Sequence, residues 1–252
     1  MSDVIAVDGQ ASGSGLSQTE RVVDTFIAPS KTFTDILRDS SWWLPYLIGA
    51  IIGCVFTFAV LNKIGLPTLV ESTIHQSKGL EDQVTQATPE VAAQIRARIG
   101  TNFKFFLYAS PLLGIIVGVI CAAVLLGTAN FVFGGKAKFK QMLAVWFYGV
   151  LPLTLFYLLV IVSVYAGLAG DSFNINNALG TNIGYYMAGG DSPRWLVALL
   201  SAVDIFAIWA AVLLTIGVSI VAGIRRSSAA IVVFGWWFLV AMLKVVGAAI
   251  GG

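Results

Sequence analysis

Five long apolar stretches constrain what this chain can fold into more than any other feature. They cover residues 44–61, 108–133, 142–168, 195–224 and 229–250. Crossing the hydrocarbon of a bilayer takes about 20 mostly apolar residues in a helix. A lipid-exposed strand would leave its backbone polar groups unpaired, so we expect all five stretches to be helical.

The composition supports a membrane protein. Of the 252 residues, 58% are hydrophobic and only 11% are charged, whereas ordinary soluble domains have about 25% charged residues. A water-soluble globule with this composition could not cover its surface with polar groups, which excludes a plain cytosolic enzyme. We therefore predict an all-α, polytopic membrane protein with five transmembrane helices. The net charge of +2 gives no sign of a nucleic-acid-binding surface.

Basic residues in the short connections predict the orientation. Positive charge in short loops marks the cytoplasmic side of a membrane protein. The turn after the second stretch carries Lys136, Lys138 and Lys140, and the turn after the fourth carries Arg225 and Arg226. We therefore expect a cytosolic N-terminus and an external C-terminus. The first connection, residues 64–105, is long and carries both signs of charge, so we give it less weight.

Residues 1–41 read as a cytosolic tail, and residues 42–252 as one five-span domain. The tail starts with a Gly/Ser-rich stretch typical of flexible linkers. Two short amphipathic helices should follow, with Phe26 and Phe33 on their apolar faces. Such helices before a span suggest a segment lying in the lipid interface; the alternative is that these faces pack on the protein itself. Trp42 and Trp43 fit the aromatic belt at headgroup level.

Glycine pairs four residues apart recur in the apolar stretches. They are Gly49 and Gly53, Gly114 and Gly118, and Gly247 and Gly251. Glycine at this spacing lets membrane helices approach closely. We expect close helix packing at the first two pairs, within one chain or between chains, although a Gly-rich chain also produces such pairs by chance.

Asp204 and Lys244 are ionisable residues within apolar stretches. A charge at the centre of a membrane helix costs on the order of 2.5–3.5 kcal/mol, so each needs a partner, water or a change of protonation. The two residues would lie at similar depths on neighbouring antiparallel spans. We predict that they face each other or share a polar pocket. The alternative is that Lys244 extends towards water and that Asp204 binds hydroxyl groups or water.

The sequence contains no pattern that is typical of catalytic residues. The chain has one histidine, His75, and contains no HExxH, CxxC or G-x-S-x-G motif. No Walker or dinucleotide-binding pattern occurs. We therefore expect no catalytic residue, no metal ligand and no cofactor.

Three segments carry a resemblance to a known family. They are the stretch from Phe26 to Pro45 ending in WWLP, the turn and span GGKAKFKQMLAVWFYGVLP, and the stretch from Asp204 to Trp209 with its later RRSSA. Together they resemble the Yip family, the Ypt/Rab-interacting membrane proteins, and specifically its bacterial branch. The resemblance implies five transmembrane helices, a cytosolic N-terminus and no known enzymatic activity. It places the chain in a bacterial cytoplasmic membrane.

Eukaryotic members of the Yip family are linked to Rab GTPases and vesicle traffic. Their acid-Leu-x-Gly-Pro pattern before the first span is replaced here by the sequence from Asp39 to Pro45, which lacks the Gly. A Rab-type GTPase partner is therefore not expected. Our leading functional hypothesis is a non-enzymatic scaffold or adaptor whose partners are the lipid bilayer and membrane proteins, including other copies of itself. The alternative is a small transporter or channel that uses Asp204 with Lys244.

Overall fold

The structure is a computed structural model that describes residues 15–168, 173–175, 177–188 and 192–250. These residues form twelve α-helices and no strand. The helices are α1 (Gln18–Ile27), α2 (Pro29–Asp35), α3 (Trp43–Lys63), α4 (Leu66–Gln76), α5 (Lys78–Gln86), α6 (Pro89–Gly127), α7 (Phe139–Gly149), α8 (Leu151–Tyr165), α9 (Ile183–Met187), α10 (Arg194–Ala202), α11 (Ile205–Ala222) and α12 (Arg226–Ile250). The predicted linker lies almost wholly outside the described residues.

Five helical segments are long and apolar enough to cross a membrane, which confirms the predicted fold class. They are α3, α6 with a following π-helical turn (Thr128–Val132), the pair α7 and α8, α11, and α12. The second segment is much longer than predicted, because α6 starts at Pro89. Thr88 caps α6 by accepting a hydrogen bond from the Val91 N–H, as expected for Thr-Pro-Glu at a helix start.

Two of the predicted spans are interrupted. The third breaks at Val150, and α8 restarts with Pro152 in its first turn, where the missing N–H costs nothing. The fourth was predicted as one helix over residues 195–224, but α10 ends at Ala202 and α11 starts at Ile205. The break falls at Asp204, whose side chain caps α11, because short acidic side chains pair the free N–H groups of a helix start.

The larger of two hydrophobic clusters among the described residues lies around α7 and α11 and takes in Phe33 of α2 and Ile36 directly after it. The smaller cluster joins α3, α4, α6 and α8. Both basic turns lie together: the Lys136 N–H donates to the Ala222 carbonyl (3.0 Å), and the Arg226 guanidinium donates to Ser30 Oγ (3.2 Å). We call this part of the bundle the basic end. It also contains α2.

Two side chains of α3 donate hydrogen bonds to backbone carbonyls of α6 around the proline inside that helix. Pro111 has no N–H, which leaves the carbonyl of Leu107 without its usual helical partner. The hydroxyl of Thr57 donates to that carbonyl (3.4 Å), and the hydroxyl of Tyr46 donates to the carbonyl of Pro111 (3.2 Å). In apolar surroundings a freed carbonyl needs such a donor, so these bonds hold α3 to α6.

Candidate functional site

A buried arginine holds the amino-terminal helices together. The side chain of Arg21 is fully buried, and its guanidinium lies 2.6 Å from a carboxylate oxygen of Asp35 and 3.2 Å from one of Asp39. It also donates to the backbone carbonyl of Asp39 (2.8 Å). The backbone carbonyl of Arg21 accepts from the hydroxyls of Thr25 and Thr32. We call these five residues the Arg21 cluster.

The two carboxylates of the Arg21 cluster have lowered pKa values. Burial raises the pKa of Asp35, but hydrogen bonds from Arg38 and Arg21 lower it by more. The pKa of Asp39 is lowered chiefly by the hydroxyl of Ser41, which donates to it at 2.7 Å, while burial opposes this and the charge of Arg21 adds to it. Both carboxylates are therefore charged at neutral pH, as the buried guanidinium requires.

Aromatic side chains attach the same segment to the bundle. Phe33 is fully buried in the larger cluster, and the ring of Phe26 meets Trp209 of α11 edge-on at 5.5 Å. Trp42 stacks on Phe147 at 5.1 Å. Phe26, Phe33 and Trp42 therefore pack on helices of the bundle.

One part of the predicted interfacial surface does point outward. Trp43 is about half exposed, and so are Val23 and Leu37, while Ile27 is 75% exposed. We call Val23 and Ile27 of α1, together with Leu37 just after α2, the outer apolar face. The five basic residues of the two turns are also exposed; they are Lys136, Lys138, Lys140, Arg225 and Arg226. The basic end and the amino-terminal helices joined to it by the Arg226–Ser30 bond thus expose both cationic and apolar groups.

Asp204 has polar partners from the segment before α9. One carboxylate oxygen accepts from the backbone N–H groups of Phe206 (2.9 Å) and Ala207 (3.3 Å). The other accepts from the hydroxyl of Thr181 and from the amide of Asn182. The sequence alone did not predict these partners. Residues 195–224 look like one uninterrupted helix, in which Asp204 would not stand at a helix start.

The structure does not bring Lys244 and Asp204 together as an ion pair. Lys244 is exposed near the end of α12 and makes no ion pair in the described part of the chain. The break before α11 gives Asp204 a capping role, in which two backbone N–H groups and two side chains replace the predicted cation. Hydroxyl partners for Asp204 were the alternative that the sequence left open.

The four glycines expected at close helix contacts divide into two groups. A Cβ at Gly118 would lie 2.7 Å from the ring of Phe147, so α6 and α7 approach closely there. A Cβ at Gly49 would meet only Thr154 at 3.7 Å, and one at Gly53 or Gly114 would meet nothing within 4 Å. These three glycines line a cavity between α3, α6 and α8.

The comparison with known families settles the membership of the chain. A family model of the Yip1 domain matches residues 23–247. The chain belongs to the Yip1 family. The matched residues of this Yip1 domain begin within α1, two residues after Arg21, and end within α12, so they include the carboxylates that bind Arg21 and nearly all of the candidate spans. No curated protein and no solved structure matches the chain.

Proposed function

We propose that this Yip1-domain protein is a non-enzymatic scaffold or adaptor that binds membrane proteins, including other copies of itself, at its basic end. The observation that carries this proposal is the full burial of Arg21 between Asp35 and Asp39. Because a buried guanidinium needs its carboxylates in place, Arg21 fixes α1 to α2 and to the residues after it. The burial of Phe33 in the larger cluster and the contact of Phe26 with Trp209 then fix this segment to the bundle. A fixed surface loses less conformational entropy on binding than a flexible tail.

The composition of this surface suits a protein partner. The outer apolar face has no cover within the described residues, and exposed apolar patches mark interaction sites. The exposed cations of the two basic turns would attract acidic groups on a partner or anionic lipid headgroups. We therefore expect the bound partner to combine an apolar surface with acidic side chains.

Photo-crosslinking in native membranes tests the scaffold proposal. A photoreactive residue replacing Ile27, the most exposed residue of the outer apolar face, should give discrete protein adducts or a crosslinked dimer. Arg21→Met should abolish these adducts by releasing α1. Arg38→Met is the matched control, because Arg38 lies in the same segment but is 54% exposed. Adducts with lipid only, or equal loss in both variants, would contradict the proposal.

The proposed orientation has the basic end in the cytosol of a bacterial cell. The positive charge of its two short turns supports this assignment. Single cysteines replacing Ser30 and Lys138 should react with a membrane-impermeant maleimide only after the cells are opened. A cysteine replacing Ala188, which is exposed in the connection before α10, should react in intact cells. Labelling of all three from the same side would overturn the topology.

A transporter is the second candidate, favoured by the interruption between α10 and α11 at Asp204. Transporter sites are often formed where a membrane helix is discontinuous. Asn also caps helices well, so Asp204→Asn should fold and report on the charge alone. Solute flux in liposomes that is lost in this variant would support a transporter over a scaffold.

A further inference from the structure

A cavity of about 850 Å³ opens between α3, α6 and the α7–α8 pair. Its volume lies within the range of about 300–1,000 Å³ that is typical of small-molecule sites. Along α6 the lining runs from Ile99 to Val117, a length of about 27 Å at 1.5 Å per residue. Along α3 it runs from Pro45 to Thr57, about 18 Å. The cavity is therefore elongated and lies among segments that can cross a membrane.

The chemistry of the lining selects an apolar occupant. Phe103, Phe106, Leu107 and Val117 line the α6 wall. Several hydroxyls that reach the cavity already donate within the protein: that of Tyr46 to the Pro111 carbonyl, that of Thr57 to the Leu107 carbonyl and that of Thr154 to the Leu151 carbonyl. A polar ligand would find few free partners here, so its desolvation would be unfavourable.

The cavity is partly open to the surroundings of the bundle, so the medium around the protein fills it. The glycines at its walls create the space, since side chains at Gly53 and Gly114 would meet nothing within 4 Å. In a membrane-spanning bundle, lipid hydrocarbon is the apolar material at hand.

Charge at one end of the cavity indicates which kind of lipid. Thr73 and Asn102 line this end, and Arg98 lies one helical turn beyond Asn102 on nearly the same face of α6. Arg98 is exposed and makes no ion pair among the residues that the structure describes. Its guanidinium matches a phosphate in charge and in hydrogen-bond geometry. Along this face of α6 the side chains thus change from cationic at Arg98, to polar at Asn102, to apolar in the cavity.

We propose that this cavity binds one acyl chain of an anionic phospholipid, with the phosphate at Arg98. The hydrocarbon core of a bilayer is about 30 Å thick, so a chain of one leaflet extends about 15 Å. The 18 Å of lining on α3 is enough to cover such a chain. The chain runs from Asn102 towards Phe147, and Gly53 and Gly114 face it from opposite walls.

Photolabelling of the full chain in vesicles tests the proposal. The probe is a phosphatidylglycerol with a diazirine in one acyl chain, added to phosphatidylcholine vesicles that contain the protein. We expect adducts on Phe56 and Phe147, which line the cavity and are buried, as well as on Phe238, which is exposed on α12. Adducts on Phe238 without any in the cavity would overturn the proposal.

Leucine substitutions in the two walls provide the decisive comparison. Gly53→Leu or Gly114→Leu should lower the cavity labelling about tenfold or more, because even one extra methylene in a full apolar pocket discriminates that strongly. The matched control is Gly235→Leu, since Gly235 also has nothing within 4 Å of its Cβ position but lies exposed on α12. Unchanged cavity labelling in both wall variants would refute the proposal, as would protein–protein adducts in place of lipid adducts.

A separate pair of variants tests the headgroup. Arg98→Gln should remove the preference for the phosphatidylglycerol probe over the matching phosphatidylcholine probe, while the labelled positions stay the same. Lys104→Gln is the control, because Lys104 is exposed on a different face of α6. A preference that is absent from the unchanged protein, or lost equally in both variants, would contradict the role of Arg98.

Discussion

Replacing Arg21 with Met should release α1 from α2 and from the residues that follow α2. Met keeps most of the apolar length of the side chain and removes the guanidinium. Breaking a buried ion pair from one side costs about 3–5 kcal/mol, because the remaining charge is left without its partner. Asp35 keeps its bonds to Arg38 (2.8 and 3.1 Å), and Asp39 is 39% exposed. We therefore expect the lower end of this range, about 3 kcal/mol.

Hydrogen exchange of the α1 amides measures this change locally. A loss of about 3 kcal/mol corresponds to a roughly hundredfold faster exchange if α1 opens independently of the spans. Amides of α12, which is joined to the π-helical turn by a bond from Trp236 to Thr128 (2.9 Å), should keep their rates. Arg38→Met should leave α1 close to its original rate, since exposed ion pairs add little.

A double-mutant cycle identifies the interaction responsible. If Arg21 stabilises the segment through its carboxylates, Arg21→Met combined with Asp39→Asn should be milder than the sum of the two single changes. Equal exchange rates in Arg21→Met and Arg38→Met, or full additivity in the cycle, would refute the reasoning from burial.

Three further predictions concern pH, helix packing and the cap of α11. Because the pKa values of Asp35 and Asp39 are lowered in the folded protein, ionisation of these carboxylates stabilises the folded segment at pH values above the unfolded pKa of about 3.9. This stability should be lost as the pH falls through the folded pKa values. Hydrogen exchange of the α1 amides should therefore be faster in acid. Gly118→Ala should lower the unfolding midpoint in detergent, at a cost of about 1–3 kcal/mol from overpacking, whereas Gly114→Ala should not. Asp204→Ala should cost about 1 kcal/mol through loss of the cap, and Asp204→Asn much less; equal midpoints for the two would contradict the capping role.

The sequence alone predicted the helical membrane architecture, because the length of each apolar stretch can be read from that stretch by itself. It also indicated where α6 starts, since Thr88, Pro89 and Glu90 form a local start signal. The break at Asp204 could have been found the same way: an Asp followed by an apolar run is a possible helix start. Continuous hydrophobicity over residues 195–224 outweighed that signal.

The sequence alone did not predict the contacts between distant segments. Arg21 can be buried only because the chain reverses between α1 and α2 and brings Asp35 and Asp39 back to it. Hydrophobic periodicity does not predict this reversal. The glycine pairs show the same limit. Gly114 and Gly118 share one spacing motif and one face of α6, yet a Cβ at Gly118 would meet α7 and one at Gly114 would meet nothing within 4 Å.

The continuous helical segment from Pro89 to Val132 has 44 residues, which makes it about 66 Å long, roughly twice the hydrocarbon thickness of a bilayer. Its first turns carry α4 through the ion pair of Glu71 with Arg96 (2.6 Å), and its far end meets α12. Because the hydrocarbon takes up only about half of this length, the rest of the segment extends beyond it. The packing of α4 on the first turns of the segment supports this overhanging part.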